Sequence, residues 1–151
     1  MSSSHELYQQ IILDHNKSPK NFGAIEHPSH KADGYNPLCG DQITVTILLD
    51  ESKTIRDIRF EGSGCAISKA SASLMTLAIK GKTIKEALEF FERFHQLITK
   101  TLPADFNVEL FGRLNAFSSI WEYPSRIKCA SLPWYTMKAA LEKKLETIVT
   151  E

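Results

Sequence analysis

Three cysteines stand in the 151-residue chain, at positions 39, 65 and 129, and their neighbours decide what they can do. Cys39-Gly40-Asp41 lies where a proline-rich segment enters a run of alternating apolar residues. If extended backbone begins early, Cys39 and Asp41 are two apart and point the same way, and Gly40 lets backbone or ligand approach closely. A thiol and a carboxylate at one point are poor neighbours, because the carboxylate charge suppresses the thiolate. A divalent cation between them reverses this, since ligated thiols lose their proton. Cys65 follows Gly64 at a helix start. Cys129 precedes Pro133 by four residues. Proline is best tolerated in a first helical turn, so a helix is expected to begin at or just after Cys129. Helix N-termini favour thiolate, and a free thiol of pKa near ~8.5 is only about 3% ionised at neutral pH, so such placement matters. Three thiolates and one carboxylate would complete a tetrahedral Zn2+ set. The competing reading stays open: the cysteines fill core and Asp41 bonds its own turn, because no paired C-x-x-C knuckle is present.

Other polar groups carry weaker signals. Arg126 is three residues before Cys129; on a helix it shares that side, where its charge would stabilise a thiolate or Asp41, although a surface arginine fits equally. His95 falls on the apolar side of its helix and reads as a core imidazole. His15 ends a helix and complements its dipole. His5 sits in a fraying first turn, and His27 and His30 lie in a loop. No histidine spacing argues for a metal ligand.

These groups need elements to hold them. A capping-box pattern at Ser3 and Glu6 opens a first helix that runs to Asn16–Pro19. Residues 17–40 are punctuated by proline and glycine, with room for a short strand at 31–35. Residues 42–49 alternate, a turn follows at 50–53, and 54–61 returns as the second arm of a hairpin. Gly62-Ser63-Gly64 is expected to break that strand. Residues 66–80 read as a helix with Ile67, Ala70, Leu74 and Leu77 on one face. Thr83 and Glu86 cap the next, which ends before Pro103. A shorter helix carries Leu110, Leu114, Phe117 and Trp121, and the last carries Trp134, Met137, Leu141, Leu145 and Ile148, with Lys138, Lys143, Lys144 and Glu146 outside. Six of the eight phenylalanines fall between residues 90 and 121, more than one helix face can hide, so most are core and an exposed part could dock a partner. The order predicts an α+β fold: a small antiparallel sheet of about three strands packed against several α-helices, one domain over 1–151.

The chain carries 18 Lys+Arg against 18 Asp+Glu, so it exerts no long-range pull on nucleic acid or anionic lipid. No apolar run approaches the roughly 18 residues that span a bilayer. An N-terminus without a basic start or apolar stretch, and an odd number of cysteines, point to a reducing, cytoplasmic setting without a paired disulfide framework.

The cysteine segments Asn36–Asp41, Gly62–Ser73 and Arg126–Trp134, with the opening Leu7-Tyr8, Asp14-His15, Pro19, Asn21 and Gly23, resemble the U-type (IscU/NifU-type) iron–sulfur cluster assembly proteins. Within that family the scaffold branch has a histidine directly before its third cysteine, where this chain has Lys128. The 64-residue interval from Cys65 to Cys129 has room for the extra helical segment, here about 83–122, typical of the SufU-like zinc-dependent sulfurtransferase branch. The resemblance therefore implies a SufE/NifU-like fold and a zinc site from Cys39, Asp41, Cys65 and Cys129. It implies Cys39 as the persulfide acceptor from a SufS-type cysteine desulfurase, with Arg126 supporting its thiolate. A partner histidine takes a zinc position and frees Cys39, and the sulfur passes on to a downstream iron–sulfur scaffold. The alternative it leaves is a scaffold that builds an iron–sulfur cluster on the same four residues.

Overall fold

The alternating run folds as the expected hairpin, β2 (Asp41–Leu49) and β3 (Ile55–Ser63), in the computed structural model, which describes residues 3–143 and 148–150. Ile43, Val45, Ile47, Ile58 and Phe60 point inward and are buried, while Gln42, Arg59 and Glu61 face solvent. β1 (His30–Asn36) pairs antiparallel with β2 from His30↔Ile47 to Asn36↔Asp41, one residue longer at each end than expected. Side chains alternate along a strand, so the parity that buries Ala32 and Ile43 also turns Asn36 and Asp41 toward the core. β3 does not break at Gly62. It continues through Ser63 because Gly62 takes a φ of 134° at a point where any Cβ would overlap the Gln42 carbonyl. The three expected antiparallel strands gain a fourth, two-residue strand, β4 (Ile148–Val149), which joins β1 in parallel.

The inner face of the sheet is covered by α2 (Ala66–Ile79) on β3 and α4 (Pro124–Leu141) on β1 and β2; α1 (Ser3–Lys17) packs on α2 from outside. Enclosure by α1, α4 and β3 buries α2 nearly all round, from Ala70 through Thr76, so the single stripe expected there is wrong in one respect: Leu77 points to solvent. Its small hydroxyl residues allow that closeness. Ser71 donates to the Ala130 carbonyl at 2.7 Å and accepts from the Trp134 indole at 3.0 Å. The predicted capping box starts α3 (Ile84–Thr99), with Thr83 and Glu86 bonded reciprocally. Residues 108–122 form 3-10 turns (Val108–Phe117 and Ile120–Glu122) rather than an α-helix, because Gly112 adopts φ 54° in mid-segment. Leu114 and Phe117 are buried there, but Leu110 and Trp121 face outward. Most of the aromatic run is core around Trp134, whose ring stacks on Phe94 at 4.3 Å and Phe90 at 5.8 Å. The last helix ends at Leu141; Ile148 lies in β4, and Lys144, Leu145 and Glu146 fall outside the described residues. Among the described residues no helix is long and apolar enough to cross a membrane.

Candidate metal centre

The β1–β2 register leaves four residues, Pro37–Gly40, to turn the chain. Asn36 Oδ1 accepts from the Leu38 amide at 3.2 Å, and Gly40 takes the left-handed φ of 69°. Cys39 therefore sits on the turn rather than in line with the strand, and is exposed, while Asp41, the first residue of β2, is fully buried. The turn, not a shared strand face, brings the two together. Cys65 is the N-cap of α2: its Sγ accepts from the Ser68 amide at 3.4 Å, and its own amide donates to Asp41 Oδ1 at 2.8 Å. Gly64 is there for space, since a Cβ would lie 2.6 Å from Asp41 Oδ1.

Cys129 corrects the expectation from Pro133. The helix begins at Pro124, so Cys129 is in its second turn and Pro133 lies inside it. Pro124 already fills the first-turn position that suits proline, and Pro133 merely withholds an N–H from the carbonyl four residues back, that of Cys129. Dipole help at Cys129 is accordingly small.

Cys39 Sγ, a carboxylate oxygen of Asp41 and Cys129 Sγ all lie within 4.8 Å of one another, with the two sulfurs 3.2 Å apart. Cys65 Sγ is 3.9 Å from Asp41 Oδ2. Asn36, not foreseen as part of the site, donates from Nδ2 to Asp41 Oδ2 at 3.3 Å and to Cys129 Sγ at 3.5 Å. Its parity with Ala32 and Gly34 is the signal that could have found it. Arg126 is exposed, its guanidinium 4.5 Å from the Tyr123 ring centre, and no ion pair joins it to Asp41 among the described residues. Among the described residues no histidine is in the cluster. His15 is buried, with Nδ1 2.7 Å from Ser73 Oγ, and its pKa is lowered mainly by that burial, which disfavours the charged dipole partner the sequence suggested. His95 packs between Phe91 and Tyr135.

The thiols divide the charge unequally. Hydrogen bonding from Cys129, with help from the Ser68 amide, lowers Cys65 to about 7 against the opposing effects of burial and Asp41. The same bond, then burial and the contact with Cys39, pushes Cys129 upward. Asp41 is a fully buried carboxylate satisfied by neutral donors, with no lysine or arginine paired to it among the described residues. Buried charge without a counter-charge is costly. Two sulfurs and one carboxylate meet there, and Cys65 stands beside Asp41 but outside that group of three; such a donor set fits a divalent metal, with thiolates suited to zinc and to iron–sulfur clusters alike.

The family model described as the NifU-like N terminal domain matches residues 7–130. The chain is 41% identical over 138 residues to the zinc-dependent sulfurtransferase SufU of Bacillus subtilis (strain 168), covering 91% of each. It is 35% identical over 144 residues to the iron–sulfur cluster assembly scaffold protein IscU of Streptococcus pyogenes serotype M1, covering 95% of this chain and 87% of that one. A crystal structure from Fervidobacterium islandicum AW-1, assigned as an iron–sulfur cluster assembly scaffold for the SUF system, is 38% identical with a TM-score of 0.81 over 92% of this chain and 99% of that one.

Proposed function

The chain belongs to the NifU-like N-terminal domain family, and on that premise we propose that it is a zinc-dependent sulfurtransferase of iron–sulfur cluster assembly. In this reading it acts in the cytoplasm, accepts persulfide sulfur on Cys39 from a SufS-type cysteine desulfurase, and passes it to a downstream scaffold. The observation that supports it best is the gradient of exposure through the donor set: Asp41 and Cys129 are buried, Cys65 is half-buried, and Cys39 alone stands exposed on a turn. Cys39, Asp41, Cys65 and Cys129 would hold the metal, and zinc, when bound, supplies the positive charge that keeps the thiolates ionised. Asp41, Cys65 and Cys129 are fixed by β2, α2 and α4, so they hold their places while Cys39 moves with its turn. The Cys39 thiolate attacks the terminal sulfur of the partner's persulfide. A new S–S bond forms on Cys39, the old one breaks, and the partner's cysteine leaves as a thiolate.

The scaffold reading draws on the streptococcal relative's name and on the same thiolate donors. Lys128 favours transfer, because a lysine ammonium next to Cys129 donates hydrogen bonds but has no lone pair to give a cluster iron. Mass spectrometry after incubation with desulfurase and cysteine is expected to find one added sulfur on Cys39 and none in Cys39→Ala. Colourless, zinc-containing protein from anaerobic purification agrees with transfer; a visible cluster absorbance, or sulfur still added in Cys39→Ala, overturns it.

A further inference from the structure

Away from the cysteines, the end of α1 builds a second polar site. Lys17, Ser18, Lys20, His15, Asp14 and Arg113 line a cleft of about 300 Å³, and it is continuous with a neighbouring cleft that shares Asp14, His15 and Arg113. Arg113 reaches across from the 3-10 segment because Gly112, in its left-handed conformation, turns the chain immediately before it. Among the described residues none of Lys17, Lys20 or Arg113 has an ion-pair partner. The one carboxylate in the cleft, Asp14, already accepts from Gln10 at 2.7 Å. In a chain of zero net charge, this cluster is not a by-product of a basic composition.

His15 is the built part of the site. It is only 4% exposed, and Ser73 Oγ sits 2.7 Å from its Nδ1. The Lys20 amide donates to that same oxygen at 2.8 Å. Ser73 Oγ thus ties the Nδ1 edge of the ring to the backbone at Lys20 and fixes the imidazole's orientation. Nε2 has no hydrogen-bond partner among the described residues, and His15 lines the cleft. Burial first, then the positive charges of Arg113 and Lys20, lower the His15 pKa.

We propose that this cleft, formed by His15, Lys17, Lys20 and Arg113, binds a phosphoryl group, either free phosphate or the phosphate of a small metabolite. Apart from Asp14 its charged lining is cationic, and three cations beside one buried imidazole match a dianion better than a single carboxylate. The site is separate from the cysteine cluster, so it stands whichever metal reading holds. The zinc-loaded protein is titrated with orthophosphate, glycerol phosphate or acetate at constant ionic strength, following the His15 side-chain nitrogen resonances. Saturable shifts with either phosphate are expected, and whichever saturates first identifies the source, free ion or ester. Combined Lys20→Gln and Arg113→Gln substitutions, both at exposed positions, are expected to weaken binding about tenfold or more. Acetate saturating as readily as phosphate, no saturable shift, or unchanged binding in the double variant overturns the proposal.

Discussion

At the scale of single residues the centre depends on small spaces as much as on donors. Gly64 leaves room for Asp41, whose carboxylate would meet a Cβ there at 2.6 Å. Gly64→Ala is therefore expected to displace Asp41 and weaken metal binding at least ~10-fold, as disturbed outer contacts do, while far-UV dichroism stays unchanged. Competition with a chelating dye measures it; unaltered affinity would show that Asp41 does not hold the metal. Cys39, Asp41 and Cys65 were legible as chemistry because glycines, a strand entry and a helix start flank them in sequence. Cys129 was legible as a donor but not in its place. Pro133 pointed to a helix start, and only the tertiary packing of α4 against β1 and β2 shows why a proline is tolerated inside. Asn36 escaped notice because its meaning comes from pairing with β2, a long-range fact of register.

Elements explain the rest. The hairpin and the capped α3 were readable because period and capping are local. The 3-10 segment and the all-round burial of α2 were not, since one follows from the Gly112 conformation and the other from neighbours on three sides. The seam between α1 and α2, with His15 and Lys20 both bonded to Ser73, carries a pH dependence. Burial, Arg113 and Lys20 lower the His15 pKa below its ordinary 6.5, with Asp14 opposing them. The unfolded chain then takes up the proton more readily than the folded one, so this contribution to stability is complete above 6.5 and is lost as pH falls toward the lower folded value. Urea midpoints measured between about pH 8 and pH 5 should fall in the wild type and fall less in His15→Gln, with the two curves diverging below about pH 6.5. Parallel curves would mean that folding leaves the His15 pKa unshifted.

For the molecule as a whole, the proposed ligand set joins three segments that the sheet and helices already bring together. Removing zinc from the loaded protein is expected to lower the melting temperature by ~10 °C or more, a chain this long shifting about 2–4 °C per kcal/mol. Calorimetry before and after chelation tests this, and an unmoved transition would separate the metal from folding stability. The spread of the donors has one more consequence. Asp41 and Cys65 come from early in the chain and Cys129 from α4, which follows the whole aromatic segment. On the proposed ligand set, the nascent chain presents its first thiols long before the last ligand exists, so the ion is locked in only after α4 has docked on the sheet.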